Sequence, residues 1–293
     1  MTMTTPSEAA TRKPRDDELD LYGVTHAGKV RKENQDHFLF CTLHKTMRVH
    51  GTSLPTPELL EMPSERLASL AMVADGVGGT AGGEAASRGA LEIIATYVTH
   101  TMKAYYGTDP AADPAELLDC LRSAAQTCHE RISAQAAART DLRGMATTLT
   151  LAMVTWPRVF VLHVGDSRCY RFRGSEGRLD RLTRDQTMAQ DLVDAGALPP
   201  ERAPSSPFSS ILSSAIGGTT SVPEVGVFDM TPGDVILLCT DGLTRHVSDE
   251  RIRDALAALQ SSKQVADDLL QAALDDGGKD NVTVFIGRAV VPA

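Results

Sequence analysis

Five aspartate-bearing motifs, each beside glycines or a strand-like apolar run, constrain this chain more than any other feature. In order they are Arg31-Lys32-Glu33-Asn34-Gln35-Asp36, Ala74-Asp75-Gly76-Val77-Gly78-Gly79, Gly165-Asp166-Ser167-Arg168, Thr240-Asp241-Gly242-Leu243 and Lys279-Asp280-Asn281-Val282. Aspartates at strand ends can meet at one sheet edge although they lie far apart in sequence. Carboxylates gathered there repel one another unless cations neutralise them. An all-oxygen donor set suits a hard cation such as Mg²⁺ or Mn²⁺. The pattern predicts a catalytic metal centre.

Composition narrows the alternatives. A chain of 293 residues can bury one large core, and 42% apolar residues is the usage of a globular protein. The net charge of −9, from 38 acids against 29 bases, argues against a nucleic-acid partner, which would demand a basic face. The five cysteines show neither CxxC nor metal-ligand spacing and read as buried free thiols in a reducing compartment. Residues 1–17 are polar and aperiodic, the expectation for a disordered leader rather than a secretory signal. The most apolar stretch, Leu149 to Val164, is broken by Trp156-Pro157-Arg158 and is no membrane span. A cytoplasmic protein, with no membrane partner, is expected.

Hydrophobic periodicity predicts strands at 19–24, 37–43, 70–73, 147–155, 159–164, 169–172, 179–181, 235–239 and 282–288, with others near Ile211 and Val225. Helices are predicted over 84–101, 115–138, 186–195, 248–259 and 263–274, the second opened by Asp113-Pro114. Residues 44–66, with Gly51, Pro55, Pro57 and Pro63, read as an inserted surface loop. Residues 199–210 read as a polar, proline-rich mobile segment. Strand runs alternate with helical pairs rather than with single crossover helices, which predicts an α+β fold of antiparallel sheets with helices on the outer faces. Residues 18–293 then form a single catalytic domain.

Each motif has a bland reading beside the chemical one. Asp75 opens a glycine-rich turn that lets backbone approach a ligand, so the Gly76 carbonyl can ligate beside the Asp75 carboxylate. Asp241-Gly242 and Asp280-Asn281 taken singly are ordinary turns, but with Asp36 and Asp75 they form a set. Asp166 reads as part of a tight hairpin between two strands. Arg31, five residues before Asp36, is placed to take two phosphate oxygens. The glycine run lacks the ending of a P-loop, and no Ser/His/Asp set or HExxH pair supports covalent or zinc chemistry.

These residues in this order resemble the metal-dependent protein serine/threonine phosphatases (type 2C, PPM) in their compact bacterial form. Gly144-Met145-Ala146-Thr147-Thr148, Leu182-Thr183-Arg184-Asp185 and Val247-Ser248-Asp249 also match, and the resemblance spans about Leu19 to Arg288. It implies a four-layer α-β-β-α sandwich, two antiparallel sheets flanked by helix pairs, with a dinuclear Mn²⁺ or Mg²⁺ centre at one edge. Asp75 would then bridge both metals and Gly76 would ligate through its carbonyl. Asp241 and Asp280 would hold the first metal, Asp36 would support the cluster through water, and Arg31 would bind phosphate. Asp141 would join Asp241 at a third ion.

The implied reaction is in-line attack on phosphoserine or phosphothreonine by a metal-bridging hydroxide, with Arg31, Asp36 and Asp75 as the catalytic set. The implied partners are phosphorylated proteins and a cognate Ser/Thr kinase, with the phosphatase a monomer. A hydrolase of small phosphoesters, or a regulatory binding module on a degenerate phosphatase fold, is the alternative. The chain departs from the family at Ala146, Gln186, Ser206-Pro207-Phe208-Ser209 and Val77. The first falls where relatives often have Gly, the second where they have His. Residues 186–222 are thus an unusual flap beside the expected site.

Overall fold

The computed structural model describes residues 12–47, 62–78, 80–100 and 113–290. Two antiparallel sheets lie face to face within them. One runs in the order β1 (Leu19–His26), β11 (Val282–Ala289), β10 (Val235–Cys239), β7 (Arg168–Arg173), β8 (Arg178–Arg181). The other runs β2 (Asp36–Met47), β3 (Met62–Val77), β5 (Leu149–Thr155), β6 (Arg158–Val164), β9 (Glu224–Asp229), with the two-residue β4 (Ala146–Thr147) paired to the end of β3. Helices α1 (Thr80–His100) and α2 (Pro114–Ala138) follow the second sheet's first strands in sequence. Helices α3 (Met188–Asp194) and α4 (Asp241–Thr244) are short, and α5 (Asp249–Ala257) and α6 (Ser262–Asp275) close the set.

Burial on both faces explains why the central strands are unbroken apolar runs. In β10 every residue is buried, and successive side chains alternate between two cores. Val235, Leu237 and Cys239 face the helices with Ile252, Leu256, Val265 and Leu269, while Ile236 and Leu238 face the other sheet. In β3 the same alternation sends Leu70, Met72 and Ala74 to α1 and α2, and Ala71 and Val73 to the inter-sheet layer. Three apolar layers therefore separate four structural ones, and the α-β-β-α sandwich is confirmed. Asp113 caps α2 as expected, accepting from Ala115 N at 2.9 Å.

Several boundaries differ from expectation. Strands β2 and β3 extend into the segment expected to be loop, pairing His44 with Arg66 and Lys45 with Glu65 past a bulge at Leu43/His44. Cross-strand pairing of polar residues carries no alternating apolar signal, and so hid this extension. Positions 48–61 lie outside the described residues, as do 1–11 of the expected leader. Residues 12–18 are held: Glu18 is buried and takes Arg12 at 2.7 Å, and Arg66 meets Asp16 at 2.6 Å. The region of Ile211 forms an isolated bridge, Thr187 to Leu212, rather than a strand. Residues 199–210 make a run of hydrogen-bonded turns, including a short 3₁₀ turn at Pro200–Arg202. Among the described residues no helix is long and apolar enough to cross a membrane.

Leu237 is wholly buried in β10, at the centre of the first sheet. Leu237→Ala should lower unfolding stability by about 2–5 kcal/mol, measured by urea denaturation of metal-free protein. A change below about 0.5 kcal/mol would show that this layer does not carry the fold.

Candidate active site

Strand ends from both sheets deliver the acids to one cleft of about 780 Å³, lined by Arg31, Asp75, Gly76, Asp166, Asp241 and Asp280 among others. Asp36 begins β2 and pairs in register with Asp75 near the end of β3. Asp241 follows β10, and Asp280 precedes β11, so these arrive from the other sheet. A second, apolar cavity between the sheets, near Trp156 and Phe285, holds only about 60 Å³ and gathers no convergent acids.

Asp36 ties the two sheets together. Its Oδ2 accepts from Thr240 Oγ1 and Thr283 Oγ1, both at 2.8 Å. With its proton so used, Thr283 accepts from Thr25 Oγ1 at 2.8 Å, and Thr25 accepts from Asn34 Nδ2 at 2.8 Å. Asp36 Oδ1 is buried with no partner, and so is Asp241 Oδ1. Two orphaned carboxylate oxygens in an oxygen-lined cleft fit a hard divalent cation. Gly76 fits it as well, since a Cβ there would overlap Gly83 O and lie 2.9 Å from Gln35 O. Only glycine lets this backbone approach so closely. As the side chains stand, no three His, Cys, Asp or Glu groups among the described residues clasp a common point.

Crowding and burial act together on these acids. Burial, then the charge of Asp241, pushes the Asp36 carboxyl up to about 7, against the pull of its two threonine donors. Burial, then Asp36 and the other carboxylates, raises Asp75 well above the usual range. Burial raises Asp166 and Asp241 too, with Arg245 opposing the shift in both. Arg31 Nη2 donates to Asp280 Oδ2 at 2.8 Å, and this bond holds the guanidinium charged.

The loop carrying Arg31 is pinned by one buried side chain. Asn281 Nδ2 donates to Ala27 O and Glu33 O, and its Oδ1 accepts from Gln35 N, each at 2.9 Å. Asp75 is fixed through its backbone. Thr147 Oγ1 and Thr148 N donate to Asp75 O at 2.8 and 2.9 Å, and Asp75 N donates to Thr148 Oγ1 at 2.9 Å.

The sequence profile of protein phosphatase 2C matches residues 63–283. The chain belongs to the protein phosphatase 2C family. It is similar to the serine/threonine protein phosphatase PstP of Mycobacterium tuberculosis, with 37% identity over 223 residues, covering 76% of this chain and 41% of that one. It thus spans less than half the length of that relative. The serine/threonine phosphatase stp of Listeria welshimeri is 32% identical over 219 residues, covering 74% of this chain and 83% of the relative. A solved structure of the PstP catalytic domain in complex with two manganese ions is 32% identical, with a TM-score of 0.71, covering 93% of this chain and 98% of that one.

The phosphatase 2C motifs have separate structural duties here. The two threonines after Ala146 clamp Asp75, and Ala146 needs no left-handed backbone, so it is tolerated where relatives have glycine. Arg168 makes a bidentate pair with Asp185, at 2.9 and 2.7 Å, joining the motifs at 165–168 and 182–185. Tyr170 Oη donates to Asp249 at 2.8 Å, and Ser248 caps α5 through Arg251 N. Buried Gln186 accepts from Gly165 N at 2.9 Å and donates to Val222 O at 3.0 Å, fastening the flap.

Two placements differ from the sequence reading. Asp141 sits exposed on a short 3₁₀ turn outside the cleft lining, with its carboxylate paired to Arg139 at 2.6 Å. Asp166, read as a hairpin residue, is buried at the cleft with its carboxylate toward Arg245. Arg245 was not singled out at all. It follows α4 and reaches Asp166, Asp241 and Asp280. Its spacing of four from Asp241 was a usable signal, but only once a helix is expected there.

Asn281→Ala frees the Arg31 loop, so KM for para-nitrophenyl phosphate should rise about tenfold, equivalent to about 1.4 kcal/mol, with kcat changed much less. An unaltered KM would mean that the loop is held by other contacts.

Asp36 gives a prediction in pH. Its carboxyl keeps a proton from 3.8, the ordinary value, up to about 7 in the folded state. The folded protein therefore binds more protons over that range, and the stability so conferred is present at low pH and lost as pH rises through it. His37 and His163, lowered by burial, act in the opposite sense. The readout is thus the difference between wild type and Asp36→Asn, whose amide mimics the protonated acid. Chelated wild type should lose melting temperature relative to Asp36→Asn between pH 5 and pH 8. A constant difference would remove the proposed titration of Asp36.

Proposed function

We propose that this chain is a metal-dependent protein phosphatase acting on phosphoserine and phosphothreonine. The observation that carries the reading is the meeting of Asp75, Asp241 and Asp280, from both sheets, in one open cleft beside Arg31, with the buried Asp36 paired to Asp75 behind them. Asp75, the Gly76 carbonyl, Asp241 and Asp280 would hold two Mn²⁺ or Mg²⁺ ions, with Asp36 behind them. When bound, the ions supply Lewis acidity and an activated water for attack on phosphorus.

The chain's own groups set up the rest. Arg31, more than half exposed at the rim, takes the phosphate oxygens, and Lys32 and Lys279 line the same mouth and favour a dianion. Asp36 Oδ2 is held by two hydroxyls, which leaves Oδ1 facing inward as an acceptor. Val77, at the cleft wall, has no proton to give to a leaving alkoxide, so no side chain at that position acts as the acid.

A protein rather than a small ester is favoured by the surface beside the cleft. Met188, Phe208 and Ile211 of the flap are exposed apolar residues, and the adjacent Ser210 and Leu212 line the cleft itself. Apolar groups next to a charged mouth suit a phosphorylated segment presenting side chains on either side of its phosphate. The substrates would be products of a Ser/Thr kinase in the same cell, and the chain works as a monomer in the cytoplasm.

Mn²⁺-dependent release of phosphate from phosphoserine and phosphothreonine peptides should exceed that from nucleotides and sugar phosphates by at least about tenfold in kcat/KM. EDTA should abolish all of it. Preference for the small esters would overturn the protein substrate, and full activity in chelated protein would overturn metal dependence.

A further inference from the structure

Arg245 is a cation built into the acidic side of the cleft. Its guanidinium pairs with Asp241, lies 3.5 Å from Asp280 Oδ2 and 3.9 Å from Asp166 Oδ2. Three of the cleft's carboxylates thus share one side chain, which is tethered by the backbone bond from Arg245 N to Asp241 O at 2.9 Å. Burial opposes its charge, but the surrounding acids outweigh that and keep it protonated. Asp166 has no other cation within ion-pair reach among the described residues. Asp241, which is buried, gives Oδ2 to Arg245 and leaves Oδ1 without a partner. The guanidinium therefore stands between Asp166 and Asp241, within ion-pair distance of both.

We infer that Arg245 is a tethered counter-ion that closes the Asp166–Asp241 face of the cleft to a metal ion. This rests on the reading that the cleft takes divalent cations. Coulomb's law gives the sense of the effect. A guanidinium at ion-pair distance from two carboxylates neutralises the charge that would draw a divalent ion there, and its bulk fills the space. Asp75 and the Gly76 carbonyl make no ion pair with it, and Asp241 keeps Oδ1 unpaired, so the proposed two-ion site stays available to metal. A third ion at Asp241, the expectation from the sequence, then has a competitor supplied by the chain itself. In the metal-free protein the same guanidinium offsets carboxylate repulsion.

Calorimetric titration with Mn²⁺ alone tests this without relying on turnover. Wild type should bind two ions per chain, and Arg245→Gln should bind one more. Arg245→Lys, which keeps the charge, should match wild type. Metal-free Arg245→Gln should also melt lower than wild type at pH 8. Equal Mn²⁺ stoichiometry in wild type and Arg245→Gln would overturn the inference. Wild type that takes up no Mn²⁺ would instead overturn the metal reading, a different outcome. If Arg245→Gln does not fold without metal, Asp166→Asn combined with it removes the excess charge and should restore folding. Failure of both to fold would count against the counter-ion role.

Discussion

Like charges held close together govern this structure. Two carboxylates about 4 Å apart repel by about 4 kcal/mol at the effective dielectric of a protein surface, and this cleft gathers Asp75, Asp166, Asp241 and Asp280, with Asp36 buried behind Asp75. Such an array persists only if the scaffold resists it. Asp36 is gripped by Thr240, just after β10, and by Thr283 of β11, and Asp75 is clamped through its backbone by Thr147 and Thr148. Neither clamp neutralises charge. In the protein alone that falls to Arg31, Arg245 and the protons that the buried acids retain.

The sandwich is suited to this task because its cores lie elsewhere. Every central strand sends one face to a helix layer and the other to the opposite sheet, so apolar burial is complete before the strand ends are reached. The ends can then carry polar residues at no expense to packing. Convergence of acids from β2, β3, β10 and β11 follows from stacking two sheets with those ends at one edge. Glycine is needed where the layers pinch. At Gly242, as at Gly76, an added Cβ would run into backbone, that of Asn281 O.

How much of this could be read from the sequence depended on whether a residue acts locally. The runs 70–74, 235–239 and 282–286 announce buried strands because burial on both faces demands continuous apolar residues. Asp75, Asp241 and Asp280 were legible because each adjoins such a run. Asp166 also lies between two strands, yet its local hydrogen-bonding potential fits a hairpin equally well. Its company became visible only when β7 was seen beside β10. Asn281 makes all three of its side-chain bonds to residues more than 240 positions away. No window along the chain contains that information. Asp141 is the reverse case: a motif match located the residue, and its carboxylate lies exposed outside the cleft, paired with Arg139.

The flap is fastened to the scaffold by one buried side-chain amide. Gln186 uses both ends of its amide, accepting from Gly165 N and donating to Val222 O and Glu224 Oε1. Its own backbone pairs with Gly165 and Ser213. An uncharged amide makes these bonds at any pH, whereas an imidazole would make them in only one protonation state. Gly165 immediately precedes Asp166, so the flap's anchor and the cleft's acid share a turn. A flap held this way keeps its root fixed against the scaffold while its apolar crest, Phe208 and Ile211, is exposed. The root of the segment is thus tied to the turn that carries Asp166, while its exposed residues lie away from that anchor, as loops on a rigid scaffold commonly do.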